Sequence, residues 1–97
     1  MKRFANVGSD NYISGTKILS ISSPNSQAIK KIVRSAKERG MCIDFTSGKK
    51  TESVIFTITG VIILSSFSPK TLVKRFNDLD ESVEEILEEI ESNFTQK

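Results

Sequence analysis

The chain has 97 residues, 37% hydrophobic and 27% charged, which suits one small globular domain and is too short for two. It holds no histidine and a single cysteine, so histidine-based acid–base chemistry and an internal disulfide are both excluded. The net charge of +2 hides a division: residues 1–77 carry thirteen Lys and Arg against four acids, while residues 78–97 carry eight acids and one lysine. A basic body with an acidic tail suggests a polyanion partner and a tail that tunes its binding.

In chain order, Arg3–Gly8 alternates apolar and polar side chains as a half-buried strand does, and Gly8-Ser9-Asp10-Asn11 is a dense turn signal. Tyr12–Ser14 reads as a short strand. After a turn at Gly15-Thr16, Lys17–Ser22 reads as another, with Leu19 and Ile21 on one face and Ile18 on the other. Ser23-Pro24 then predicts a helix start, the serine capping free N–H groups and the proline filling the first helical position. Ile29, Ile32, Val33 and Ala36 form its buried stripe, Lys30, Lys31, Arg34, Lys37 and Arg39 its other faces, and Gly40 its end. Next come two β-rich runs, Met41–Thr46 and Ser53–Thr59, joined by a polar link containing Gly48-Lys49-Lys50-Thr51. That pattern predicts a hairpin with two lysines at its tip.

Val61–Ser65 reads as a buried strand, and Ser68-Pro69 repeats the helix-opening signal. Leu79, Val83, Ile86, Leu87, Ile90 and Phe94 then form an amphipathic stripe opposed by Glu84, Glu85, Glu88 and Glu91, and such a stripe needs a partner. The predicted class is α+β: a small, mostly antiparallel sheet, a main helix at about 24–39, a short helix at about 69–77 and an acidic amphipathic helix at about 80–92. Residues 1–77 form the domain and residues 78–97 the tail. The longest apolar run, Val61–Leu64, is far too short to span a bilayer, and no apolar segment follows Met1-Lys2-Arg3. A reducing, cytoplasmic setting fits the single cysteine.

The motifs offer little chemistry. Gly48-Lys49-Lys50-Thr51 fails as a phosphate-binding loop, because Lys50 stands where Ser or Thr is required and Ile43 where the first glycine is required. Cys42 lies among apolar residues with no base to activate it and reads as a small core residue. Asp44 reads as structural, a cap or a lysine partner. The tail acids suit a solvated helix face better than a metal loop. The sequence therefore predicts no enzyme, cofactor, metal or small-molecule substrate, and no membrane partner. It places positive charge on a turn.

The order of these features resembles the RemA-like family of bacterial regulatory proteins. The residues that carry the likeness are Phe4–Gly8, Asn11–Ser14, Ile18–Ile21, Ser23-Pro24, Ile29–Lys31, Ala36–Met41, Ile43-Asp44, Gly48–Thr51 and Ile62–Ser65. The resemblance implies a compact subunit that assembles into a ring-shaped homo-oligomer and binds double-stranded DNA, regulating transcription of genes for extracellular matrix and biofilm formation. It maps the DNA-contacting positions onto Lys17, Lys49 and Lys50. Lys30 and Lys31, on the basic face of the main helix, and Thr51, beside the tip, are additional candidate contacts. In the family these three lysine positions are typically arginine, and the position of Glu52 is basic. Lysine keeps the charge but loses the planar fork that bonds two acceptors at once, so phosphate contact is expected rather than base readout. The competing expectation is an oligomeric scaffold protein whose DNA binding is weak or blocked by the acidic tail.

Overall fold

The computed structural model describes residues 4–77 and 89–91. Strands β1 (Phe4–Gly8) and β2 (Asn11–Ser14) form an antiparallel hairpin, and one 3-10 turn (Gly15–Lys17) leads into β3 (Ile18–Ser22). Helix α1 (Gln27–Glu38), β4 (Cys42–Asp44), β5 (Ser53–Thr57), β6 (Ile62–Ser65) and α2 (Pro69–Phe76) follow. The class is α+β, as expected. The second sheet has the order β3-β5-β6-β4, with β4 parallel to β6 and the other pairs antiparallel. The predicted acidic helix lies outside the described residues except at residues 89–91, which are helical. No helix among the described residues is long and apolar enough to cross a membrane.

The sheet is buried on both faces, and strand alternation divides its side chains between two cores. On one face Ile55 and Ile63 meet Ala5 and Val7 of β1 and Leu72 and Phe76 of α2. On the other Val54, Ile62 and Leu64 meet Ala36, Ile29 and Val33 of α1. All four residues of β6 are buried. Two paired serines complete the joint: Ser53 Oγ donates to the Phe67 carbonyl at 2.6 Å, and Ser65 Oγ donates to the Val7 carbonyl at 2.5 Å. Those bonds fix β1 and the entry to α2 against the sheet.

Four expectations need correction. Met41–Thr46 and Ser53–Thr59 do not pair as a hairpin, because β6 lies between β4 and β5. The true hairpin is β5–β6, turning at Gly60. Helix α1 begins three residues later than Pro24: Ser23 Oγ accepts from Asn25 N at 3.4 Å in a preceding turn, and Ser26 is the cap, accepting from Ile29 N at 3.1 Å. Ile32 is 40% exposed and falls off the buried stripe. A bulge between Ile18 and Ser20 breaks the alternation in β3, so Ile18 and Ile21 both face the core and Leu19 is 71% exposed. The C-terminal end of α1 and the start of α2 were read correctly. Gly40 (φ +69) closes α1 in a Schellman motif, with Met41 N bonded to Ala36 O and Gly40 N to Lys37 O. Ser68 caps α2 ahead of Pro69.

Gly8 adopts φ +144, and a Cβ there would overlap the Phe45 carbonyl oxygen. That close approach holds the β1–β2 turn against the chain leaving β4. Gly8→Ala should therefore lower stability by roughly 2–3 kcal/mol, read as a lower urea midpoint with an unchanged m-value.

Candidate nucleic-acid interface

Residues 45–52 cross over the end of β6 on the way from β4 to β5, and local chemistry fixes their path. Asp44 Oδ1 accepts from Thr46 N at 2.8 Å and from Thr46 Oγ1 at 2.6 Å, an Asx turn that leaves Thr46 buried. Lys49 N bonds back to Thr46 O at 3.0 Å, across Ser47 (φ +53) and Gly48 (φ +80). Two successive left-handed residues define a type I′ turn. Ser47 Oγ also hydrogen-bonds Ser9 Oγ of the β1–β2 turn, so the two turns brace each other. Beyond the tip, Glu52 N bonds to Ser65 O at 2.8 Å and re-enters the sheet. The loop is pinned at both ends and at its middle, and Lys49 and Lys50 stand exposed on it.

Lys17 is exposed at the close of the 3-10 turn, and its carbonyl accepts from Ile58 N at 2.9 Å. Ile18 pairs with Thr57, the last residue of β5, whereas Lys49 and Lys50 precede the first. The length of β5, about 17 Å at about 3.3 Å per residue, therefore separates Lys17 from the tip. One copy does not bring the three lysines together. Lys17 lies instead in an apolar depression with Phe4, Tyr12, Thr57 and Val61, where Phe4 and Tyr12 are 65% and 60% exposed.

Lys30 and Thr51 do share a groove. They line an open groove of about 350 Å³ between α1 and the sheet, together with Arg34 and Lys37. Lys31 is exposed but is not among the lining residues. Arg34 and Lys37 were missed as site residues, although their spacing from Lys30 at i+4 and i+7 places all three on one side of a helix. Arg75 is committed elsewhere: it donates to Asn6 O at 3.0 Å and sits 4.3 Å over the Phe67 ring.

The electrostatics agree with structural roles for the two remaining candidates. Hydrogen bonds from Thr46 hold the Asp44 carboxyl below its usual range, with Lys37 assisting. Burial pushes the Cys42 thiol up, so it stays protonated and packs against the α1 core.

The family model described as extracellular matrix regulatory protein A-like matches residues 4–76. The chain belongs to the RemA-like family. A regulatory protein of Thermoanaerobacter sp. (strain X514) is 44% identical over 92% of this chain and 93% of its own length. A regulatory protein of Geobacillus thermodenitrificans is 40% identical over 88% and 98%, and one of Clostridium botulinum (strain Eklund 17B / Type B) is 40% identical over 87% and 94%. A regulatory role follows for this RemA-like chain. Only three residues precede the family match, so the Thermoanaerobacter alignment must continue past Phe76 into the acidic segment.

Asp44 yields a pH test. A carboxyl with a depressed folded pKa stabilises the fold above its unfolded pKa, about 3.9, and that contribution is lost as pH falls through the folded value. Urea midpoints of the wild type should therefore be flat at neutral pH and fall below about pH 4. Asp44→Asn should begin lower and show a shallower acid slope.

Proposed function

We propose that this chain is a DNA-binding transcriptional regulator of extracellular-matrix genes, acting in the cytoplasm as a ring-shaped homo-oligomer. The observation that carries the reading is the braced loop that holds Lys49 and Lys50 exposed. Ordering those side chains against phosphate costs less when the backbone beneath them is already fixed. Lys30, Arg34 and Lys37 extend positive charge along α1 beside Thr51. Lysines bind phosphate as point charges, so each subunit offers a few weak contacts, and the ring repeats them. DNA bends around the assembly, and sequence preference comes partly from deformability.

Separation of Lys17 from the tip adds a requirement. A patch that uses all three lysines combines Lys17 of one copy with Lys49 and Lys50 of its neighbour. The exposed Phe4 and Tyr12 beside Lys17 support placing a neighbour there, since a sizeable exposed apolar patch marks an interaction surface. Contacts between two different surfaces, once closed, generate a ring.

Binding to duplex DNA should weaken by roughly 0.9 log unit per log unit of salt for each phosphate neutralised. Lys49→Ala/Lys50→Ala should bind weakly with a reduced salt slope. Undiminished binding by that variant would remove the tip from the mechanism, and a wild type that assembles without binding DNA would favour the scaffold reading. Mixed rings test the shared patch. Co-refolding Lys17→Ala chains with Lys49→Ala/Lys50→Ala chains should restore part of the binding that each variant loses alone, because some neighbours then combine intact halves.

A further inference from the structure

Two serines near the lysine tip hold backbone conformations that suit glycine better. Ser9 in the β1–β2 turn has φ +50, and Ser47 in the crossover has φ +53. A Cβ in this left-handed region crowds the following carbonyl, and glycine is free of that penalty. Asp10 shares the conformation at φ +61, but aspartate adopts it more readily than serine does. Serine at positions 9 and 47 is therefore a local disadvantage that some other interaction offsets. What serine has and glycine lacks is a hydroxyl, and these two hydroxyls hydrogen-bond each other across 38 residues of sequence.

Neither turn needs that bond for its own shape. In the β1–β2 turn, Asn11 Nδ2 donates to the Gly8 and Ser9 carbonyls at 2.9 and 3.3 Å, and Asn6 Oδ1 accepts from Gly8 N at 2.9 Å. In the crossover, Asp44 and the bond from Lys49 N to Thr46 O set the path. Ser9 also stands on a fixed base, since Gly8 abuts the Phe45 carbonyl and the Val7 carbonyl accepts from Ser65 Oγ. The tip has less support. Among the described residues, the bond from Ser47 to Ser9 is the one hydrogen bond that joins residues 47–51 to another element.

We propose, on the DNA-binding reading above, that Ser9 is a positioning residue for the phosphate contact. Its hydroxyl holds Ser47, and so the backbone that carries Lys49 and Lys50, without itself touching DNA. A tip ordered in advance loses less freedom when its lysines meet phosphate. The two serines stay in an unfavourable conformation because they contribute affinity rather than stability.

Ser9→Gly in the full-length protein tests this through two effects of opposite sign. Removing the Cβ relieves the left-handed residue, so the urea midpoint should stay level or rise. Removing the hydroxyl frees the tip, so affinity for duplex DNA at fixed salt should fall roughly threefold to tenfold. The salt slope should stay as in the wild type, because the same lysines still meet phosphate. In the Lys49→Ala/Lys50→Ala background, Ser9→Gly should leave DNA affinity unchanged. Hydrogen exchange without DNA supplies a second readout: the Lys49 amide should exchange faster in Ser9→Gly than in the wild type. Unchanged affinity overturns the proposal whatever the exchange rates. A loss that tracks a lowered urea midpoint, or persists in the double-alanine background, overturns it too. A wild type that binds no DNA overturns the reading beneath it, and the exchange rates then show separately whether Ser9 holds the tip.

Discussion

The placement of β6 decides most of this structure. Its four residues are buried, and their side chains alternate between the α1 core and the core shared by β1 and α2. A strand so enclosed belongs in the sheet interior, and it takes β5 on one side and β4 on the other. The segment between β4 and β5 must then pass over the strand end instead of folding back as a tight hairpin. Ser53 and Ser65 add bonds to the Phe67 and Val7 carbonyls, so the same strand pair anchors the first hairpin and the second helix. Buried hydroxyls without such partners would cost stability, and here each is satisfied.

The geometry of the lysine tip follows from that crossover. An eight-residue connection could wander, yet Asp44, the Ser47–Gly48 turn and the bond from Ser47 to Ser9 hold it in place. The depressed Asp44 carboxyl reports the same hydrogen bonds that set the loop path. Gly8 contributes from the far side, since only a residue without Cβ fits against Phe45. A lysine on a rigid base loses its own rotamer freedom on binding but not that of a loop. That difference would matter most for the weak phosphate contacts proposed above.

Charge is distributed over the molecule rather than gathered into one pocket. Lys49 and Lys50 occupy one end of the sheet and Lys17 the other, while Lys30, Arg34 and Lys37 follow α1. No single copy presents a compact anion site of all these groups. Such a layout suits a ligand that is itself extended and a protein that acts in several copies.

Several elements were legible in the sequence because their signals are local. Gly40 ends α1, and Ser68-Pro69 opens α2, through bonds made within a few residues. The alternation in β1 and the apolar run of β6 mark strands wherever they pair. The residues from Phe4 to Phe76 were also sufficient to place the chain in its family and hence as a regulatory protein. What tertiary structure decided were matters of partnership. Ser26 displaced Ser23 as the cap because both can bond a nearby N–H, and the packing of α1 selects between them. The bulge in β3 turned Leu19 outward, which no periodic reading can anticipate. The hairpin expected around Lys49 and Lys50 became a crossover because β6, met later in the chain, is the better-buried neighbour for both strands. Strand neighbours depend on which faces are covered by distant elements, and sequence adjacency does not encode that. The tip kept its lysines and its turn; its distance from Lys17 came only from the sheet.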